Sequence, residues 1–369
     1  MLKLSLPNIS ETAIAAVAEV LRSGKLVHGQ ECEAFELEIA DYLGCSNVVL
    51  VSSGTAALHI ALLALNIGPG DAVIVPDFTF PATANVVAMT GARPVIVDVD
   101  QGTYTLNINQ LEQAVRNWSG PERLRAVMPV HEFGCVANMP EINRIAKEHG
   151  LLVVEDAACA LGASLEDRMA GTMGDAGCFS FHPRKTLTTG EGGAIATDNA
   201  DLAVRMRRLR NHGMERTEEG MRFFEPATNY RLTNFQAALG RAQLPLLDSW
   251  IRQRTLLVKA YARLLAPLHE KRLLRLPDMI PGHSWQTFMV VLADLYDRDE
   301  LIAKLREEGI ETNLGAQSIS GIGIYGAPAT HSGQGSILHT QGLALPLFER
   351  MTISDVEHVA TKIASVMRG

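Results

Sequence analysis

The chain has 369 residues, 47% of them hydrophobic and 20% charged, and its formal net charge is -8. This length is more than one small core needs, and it predicts two domains, residues 1–245 and 246–369, in an ordinary globular protein. The net negative charge argues against nucleic acid as a main partner, because phosphate backbones are bound by basic faces. A local basic pocket for a small phosphorylated ligand is compatible with this charge.

The cysteine and hydropathy patterns indicate where in the cell the protein is expected to be. The five cysteines are odd in number, and no pair has metal-ligand spacing. We therefore expect reduced thiols, no metal site and a cytoplasmic location, and the N-terminus has no apolar run typical of a signal peptide. Residues 45–70 contain no Asp, Glu, Lys or Arg, but the polar residues 52–55 interrupt them. A buried strand leading into a buried helix explains this stretch better than a membrane span.

Apolar periodicity predicts an alternation of strands and helices. Two helices come first, at 11–22 and 31–42. The strands that follow are predicted at 48–51, 72–75, 94–97, 125–129 and 151–154, with helices between them at 55–65, 82–89, 108–117 and 140–148. Such alternation is typical of an α/β domain with a mostly parallel sheet between helices. Ligands of these sheets bind at the carboxyl ends of the strands.

The C-terminal third has a different pattern. The large domain is predicted to end after a helix at 234–244, and a long helix at 247–268 leads away from it. A strand at 286–292 and helices at 298–308 and 356–367 then predict a smaller α+β domain. Residues 321–335 are rich in Gly, Ser and Ala and are expected to form a loop.

Residues 175–198 contain one lysine between two predicted strands. The strand 177–181 leads into a polar turn with Lys185, and a glycine-rich turn, 190–193, precedes the strand 194–197. A lysine held in this way suits Schiff-base chemistry with a carbonyl cofactor. The alternative is an ordinary loop lysine in water.

Three other strand ends have side chains suited to a ligand. Residues 52–56 are small and open a helix, which favours an anion site but also fits a simple Ser/Thr cap. Phe80 follows the second strand and either stacks on a planar ring or packs in the core. Asp156 follows the fifth strand, where its carboxylate either holds a protonated pyridine nitrogen or caps a helix.

Together these strand ends offer a phosphate cup, a stacking ring, an acid and an amine. Pyridoxal 5′-phosphate (PLP) matches each part, since it has a phosphate, a flat ring, a ring nitrogen and an aldehyde. Ser180, five positions before Lys185, adds a hydroxyl for the phosphate. The sequence therefore predicts a PLP site at the carboxyl edge of the sheet.

Over nearly its whole length, the sequence resembles the DegT/StrS-type aminotransferases, which are fold type I PLP enzymes. Many of these enzymes act on nucleotide-linked keto-sugars. The block around Lys185 is the most specific part of the resemblance. The motifs that carry it are 53–58, 77–80, 129–131, 155–158, 180–185, 190–193, 229–231 and 344–347.

The resemblance implies roles for individual residues. Lys185 forms the Schiff base and later moves the proton, Asp156 pairs with the pyridine nitrogen, and Phe80 stacks on the ring. The phosphate is bound by Gly54, Thr55 and Ser180. In the family, the residue at the position of Asn229 reaches the phosphate of the neighbouring subunit, which implies a homodimer with shared active sites.

Three positions depart from the common family pattern. Cys159 stands where the family usually has Gln or His near the ring oxygen, and a thiol is a poor hydrogen-bond donor. Phe133 replaces a frequent Tyr, and Asn234 replaces a frequent acid. These changes are compatible with an unusual substrate.

Three further residues are candidates for substrate contacts, each with a structural alternative. His131 lines the substrate side or makes a hydrogen bond at the end of a strand. His182 faces the pocket or is a structural histidine. Arg184 meets a substrate phosphate or forms an ion pair at the surface or at a dimer interface.

The resemblance implies transfer of an amino group from an amino acid, L-glutamate, to a nucleotide-linked keto-sugar in amino-sugar, polysaccharide or secondary-metabolite biosynthesis. One alternative is a PLP-dependent sugar dehydratase, although related dehydrating enzymes replace the lysine that is present here as Lys185. The other is a non-catalytic regulatory relative, which no basic helix-turn-helix segment or interaction tail supports.

Overall fold

The computed structural model describes residues 1–325 and 333–367. Its helices are α1 (Glu11–Ser23), α2 (Gln30–Leu43), α3 (Gly54–Ala64), α4 (Ala82–Met89), α5 (Ile108–Arg116), α6 (Met139–His149), α7 (Ala200–Arg210), α8 (Asn234–Gln243), α9 (Leu247–Glu270), α10 (Arg298–Glu307), α11 (Ile319–Ile322), α12 (Gln334–Gln341) and α13 (Ile353–Val366). Its strands are β1 (Asn47–Val51), β2 (Asp71–Pro76), β3 (Phe78–Thr79), β4 (Arg93–Val97), β5 (Arg123–Val127), β6 (Leu152–Asp156), β7 (Ser164–Leu165), β8 (Arg168–Met169), β9 (Ala176–Ser180), β10 (Gly193–Thr197), β11 (Met214–Thr217), β12 (Gly220–Phe223), β13 (Leu274–Arg275), β14 (Phe288–Leu292), β15 (Gln317–Ser318) and β16 (Gly342–Leu345).

Seven strands form the main sheet, in the order β1-β10-β9-β6-β5-β2-β4. The run from β9 to β4 is parallel throughout, and β10 is antiparallel to both of its neighbours. The prediction of an α/β fold with a mostly parallel sheet is therefore confirmed. The carboxyl ends of the parallel strands meet along one edge, which is where such sheets place their ligands.

Both faces of this sheet are buried. Successive side chains of a strand point to opposite faces, and β1 shows the result: Val48 and Leu50 pack in one core, and Val49 and Val51 pack in another. All four are at most 2% exposed. The first core also contains residues of α2, α5 and α6, and the second contains residues of α3, α4 and α7.

A third core lies on the C-terminal side, where α9, α10 and α13 pack against the antiparallel sheet β13-β14-β16. Arg254 of α9 is 1% exposed. Its guanidinium lies 2.7 Å from the Glu349 carboxylate and donates to the carbonyls of Trp285 (3.1 Å) and Leu347 (3.2 Å). This buried charge is therefore paired, as the low dielectric requires, and it ties the long helix to the segments that flank the small sheet.

The predicted division of the chain after residue 245 stays a prediction. The predicted boundary falls between the end of α8 and the start of α9. The N-terminal residues nevertheless contact the C-terminal part of the chain: the Leu2 amide donates to the Gly309 carbonyl at 2.8 Å. The loop expected at 321–335 overlaps α11 and α12, and its residues 326–332 lie outside those described. Within the described ranges, the helices lack the combination of length and apolarity that crossing a bilayer demands.

Candidate active site

The loop that carries Lys185 is closed at its base by backbone hydrogen bonds. The Phe181 amide donates to the Gly192 carbonyl (2.8 Å), and the Thr189 amide donates to the Phe181 carbonyl (3.0 Å). A side chain at Gly193 is excluded here, since its Cβ would lie 2.6 Å from the Ser53 carbonyl oxygen. The antiparallel pair β9 and β10 therefore presents Lys185 from a fixed loop at the edge of the sheet.

The amine of Lys185 lies in a cluster of ionisable groups. Its Nζ donates a hydrogen bond to Cys159 Sγ at 3.0 Å. Burial lowers the pKa of the amine, but Cys159, Asp156 and Glu132 more than offset this effect, and the net shift of the Lys185 pKa is upward. Burial raises the pKa of the Cys159 thiol, and the charge of Lys185 opposes this shift.

Asp156 ends β6 and is 4% exposed. Its carboxylate accepts hydrogen bonds from the Thr83 hydroxyl (2.8 Å) and from the Ala158 amide (3.2 Å). Burial raises the pKa of this carboxyl, while those two hydrogen bonds and the charge of Lys185 oppose the shift. Within the described ranges no Lys, Arg or His forms an ion pair with Asp156. The site thus holds a buried acid suited to a cationic ligand atom.

Thr83 joins this acid to the segment of Phe80. Its amide donates to the Phe80 carbonyl at 3.2 Å, and its hydroxyl donates to the Asp156 carboxylate at 2.8 Å. The Phe80 side chain is 72% exposed, so the ring has a free surface on the same strand edge as Asp156. It does not pack in a core, which was the alternative for an aromatic residue at this point.

The predicted phosphate cup brings α3 and β9 together. Ser53 caps α3, since its side chain accepts from the Ala56 amide, and the helix begins at Gly54. A Cβ on Gly54 would lie 2.8 Å from Ser180 Cβ, so only glycine allows this approach. Thr55 is exposed in the first turn. A helix N-terminus with adjacent hydroxyls fits an anion.

His131 has the structural role that was the alternative to a substrate contact. It is 0% exposed. Its Nδ1 accepts from the Ala137 amide (3.1 Å), so Nε2 donates to Glu155 Oε2 (2.8 Å). Glu155 also accepts from the backbone amides of Gly171 (2.8 Å) and Gly174 (2.6 Å). With no exposed surface and no free ring nitrogen, His131 does not line a substrate pocket.

The remaining candidates lie nearer the surface. His182 is half-buried, its Nδ1 accepts from the Arg184 amide (3.2 Å), and its pKa is lowered mainly by burial. Arg184 is exposed, and its carbonyl accepts from the Gln286 side chain (2.7 Å). Asn229 is exposed, and its side chain accepts from the Arg231 amide (3.2 Å).

Two of the departures from the family pattern have packing roles. Phe133 lies in an aromatic cluster, with its ring centroid 6.0 Å from those of Phe78 and Tyr104. Asn234 donates to the Lys25 carbonyl (3.0 Å) and accepts from the Cys32 amide (3.4 Å). Both therefore support the fold around the site.

The sequence analysis missed Glu132. It lies between His131 and Phe133, in one turn of 3-10 helix beyond β5, and it is 4% exposed. Burial raises the pKa of its carboxyl most strongly, the charge of Lys185 lowers it, and the charge of Asp156 raises it. The signal was an acidic residue soon after an apolar strand, which is the same signal that identified Asp156.

Comparison with known proteins places the chain among aminotransferases. The model of the DegT/DnrJ/EryC1/StrS aminotransferase family matches residues 7–364. DesV from S. venezuelae, solved in complex with a ketimine intermediate, is 36% identical, with a TM-score of 0.88 over 97% of this chain and 94% of that chain. A DegT DnrJ EryC1 StrS aminotransferase from Brucella abortus is 32% identical, with a TM-score of 0.88 over 97% and 96%. A candidate sugar aminotransferase from Streptococcus pneumoniae, in its PLP form, is 25% identical, with a TM-score of 0.90 over 99% and 98%.

The fold is that of a fold type I PLP-dependent enzyme. The chain belongs to the DegT/DnrJ/EryC1/StrS aminotransferase family. It is an aminotransferase, and its cofactor is PLP. The described residues fit this cofactor: Lys185 supplies an amine, Asp156 is a buried acid without an ion-pair partner in those ranges, and Gly54 opens an anion cup.

The buried carboxylate of Glu155 generates a stability prediction. Glu155→Gln places an amide nitrogen among backbone N–H donors, and we expect the free energy of unfolding to fall by about 3–5 kcal/mol in chemical denaturation. The control is Glu148→Gln, which removes an exposed ion pair with Arg144 and should cost less than about 1 kcal/mol. Equal stability of the two variants would contradict the proposed packing role of Glu155.

Proposed function

We propose that the protein is a sugar aminotransferase that moves the amino group of L-glutamate to the carbonyl carbon of a nucleotide-linked keto-sugar. The observation that carries the proposal is the meeting of the Lys185 amine, the Cys159 thiol and the Asp156 carboxylate in one cluster of an aminotransferase fold. Support for the sugar comes from the Streptococcus pneumoniae relative, which is named as a candidate sugar aminotransferase.

PLP supplies an electron sink for the carbanion that forms when an amino acid loses its α-proton. Lys185 would hold the cofactor aldehyde through Nζ and, once released, carry the proton to and from the substrate carbon. Asp156 would accept a hydrogen bond from the ring nitrogen and keep it protonated. Both groups act from fixed positions, since Asp156 ends a central strand and the Lys185 loop is closed at its base.

The other residues would hold the cofactor in place. The N-terminus of α3 would bind the phosphate through Gly54 and Thr55, and Ser180 would add its hydroxyl. The exposed ring of Phe80 would stack on the flat cofactor. His182 and Arg184 flank the lysine loop and are the candidates for contacts with substrate. Cys159 would lie beside the ring oxygen, where its thiol gives only a weak hydrogen bond.

We further propose a homodimer in which Asn229 of the partner subunit reaches the cofactor phosphate. The strand β12 supports an interface nearby, because Met221 and Phe223 are 66% and 65% exposed. Adjacent exposed apolar side chains of this kind often mark a protein contact. Asn229 follows this strand by six residues and is itself exposed.

Lys185→Ala tests the chemistry. The variant should lose the absorbance band of lysine-bound cofactor and all measurable turnover, because no other group in the cluster offers an amine. In the wild type, L-glutamate should bleach that band, and a nucleotide-linked keto-sugar should restore it. Turnover retained by the variant would refute the role of Lys185. Restoration by a free keto-sugar alone would refute the nucleotide linkage.

Gly54→Ala tests the phosphate cup. Its Cβ would meet Ser180 at 2.8 Å, so we expect PLP to bind at least about tenfold more weakly in an absorbance titration. The matched control is Gly68→Ala, because a Cβ there meets only the Thr90 carbonyl at an ordinary 3.6 Å. Unchanged affinity in Gly54→Ala would place the phosphate elsewhere.

Mixed dimers test the shared site. Lys185→Ala and Asn229→Ala protomers are each expected to be impaired at low PLP concentration. After subunit exchange, half of the sites in a mixed dimer would combine Lys185 of one chain with Asn229 of the other. Activity of the mixture should therefore exceed the sum of the two separate variants. Activity equal to that sum would contradict shared sites.

A further inference from the structure

The two peptide units that flank Arg184 are held by hydrogen bonds to the protein. The Lys185 amide donates to the His182 carbonyl (2.8 Å), and the Arg184 amide donates to His182 Nδ1 (3.2 Å). The Arg184 carbonyl accepts from Gln286 Nε2 at 2.7 Å. Within residues 1–325 and 333–367, no other donor reaches this carbonyl. The polar backbone groups next to the lysine therefore depend on Gln286 as well as on the loop itself.

The side-chain amide of Gln286 has a fixed orientation. A backbone carbonyl only accepts hydrogen bonds, so the amide nitrogen must face Arg184. The amide oxygen accepts from the Thr287 hydroxyl at 2.9 Å. Because both ends of the amide are bonded, the donor that reaches the lysine loop is held in place.

The backbone of Gln286 is fixed by two other segments. Its amide donates to the Phe133 carbonyl (2.9 Å), and its carbonyl accepts from Arg254 Nη1 (3.1 Å). Arg254 is 1% exposed and lies 2.7 Å from the Glu349 carboxylate. Gln286 therefore connects a buried ion pair of the C-terminal side to the loop that carries Lys185.

The residue before Gln286 has a strained backbone. Trp285 has a φ of 53°, in the left-handed region that bulky residues rarely adopt. Its ring stacks on that of His283 with the centroids 3.6 Å apart, and its amide donates to His283 Nδ1 (2.9 Å). Strained backbone of this kind clusters at functional sites, and here it directly precedes the side chain that contacts the lysine loop.

We propose that Gln286 is a further positioning residue of the active site: its side-chain amide fixes the Arg184 carbonyl and thereby the direction in which the Lys185 side chain leaves the loop. This inference rests on the proposed function, in which Lys185 holds the cofactor. Placement matters because a reacting group is effective only near its attack geometry. The support comes from the C-terminal side, which makes none of the proposed cofactor contacts.

A second glutamine holds the other side of the same loop. Gln243 of α8 is 1% exposed, accepts from the Thr188 amide (3.2 Å) and donates to the Thr188 carbonyl (2.7 Å). These bonds do not involve Gln286. Loss of the Gln286 bond should therefore loosen the chain at Lys185 while the loop as a whole stays folded.

Hydrogen exchange measured by mass spectrometry tests this restraint in the full-length, PLP-loaded protein. Gln286→Met keeps the length and the neutrality of the side chain but removes the donor. We expect amides of the peptide 182–187 to exchange about three- to tenfold faster than in the wild type. The matched control is Gln253→Met, because Gln253 is also half-buried and donates to a backbone carbonyl, that of Met351 (3.3 Å). Exchange of the peptide that is faster in the control as well, or unchanged in Gln286→Met, would overturn the inference.

Turnover of the same variants tests the positioning role. In Gln286→Met, kcat should fall about three- to tenfold, while the KM for L-glutamate stays within about twofold, because Gln286 contacts the loop and not the substrate. Gln286→Lys keeps a donor of similar reach and should recover most of the lost kcat. Faster exchange with an unchanged kcat, or no recovery in Gln286→Lys, would overturn the positioning role.

The exchange measurement separates this inference from the proposed function, because it needs no substrate. An enzyme that transfers amino groups to a keto-sugar but keeps wild-type exchange in Gln286→Met would contradict this inference alone. Turnover retained by Lys185→Ala would instead contradict the proposed function.

Discussion

The proposed site depends on keeping one carboxylate, Asp156, charged in a buried position. A lone buried charge is costly, and Asp156 has no cationic ion-pair partner among the described residues. It is instead surrounded by oriented donors, the Thr83 hydroxyl and the Ala158 amide, with the Lys185 charge nearby. In the proposed function the protonated ring of PLP completes this environment, so cofactor binding and the charge of Asp156 support each other.

The fold makes this arrangement possible by bringing strand ends together. The strands β5, β6 and β9 are neighbours in the sheet, and their carboxyl ends lead to Glu132, Asp156 and the Lys185 loop. Beneath the edge, the fully buried pair His131 and Glu155 ties these segments to the backbone beyond β8. The site is therefore rigid on its acidic side, whereas Phe80 and Arg184 lie at the surface.

Sequence patterns predicted the regular part of this fold and supplied the candidates for the site. The alternation of strands and helices follows from local apolar periodicity, and Lys185 and Asp156 follow from their positions after strands. Contacts between distant segments were not predictable in this way: β3 pairs with β15 across the chain, and no local pattern marks either strand. Glu132 was missed because burial, which makes an acid informative, cannot be read from its neighbours in sequence. The burial of His131 was also not predictable from the local sequence, because its hydrogen-bond partner Glu155 lies 24 residues away in the chain.

The central claim is that Lys185 and Asp156 bind opposite ends of one PLP molecule. A crystal structure of the PLP-loaded protein tests it most directly. The account predicts a covalent link from Lys185 Nζ to the cofactor aldehyde carbon and a hydrogen bond between the ring nitrogen and the Asp156 carboxylate. Cofactor linked to another lysine, or a ring nitrogen turned away from Asp156, would contradict it.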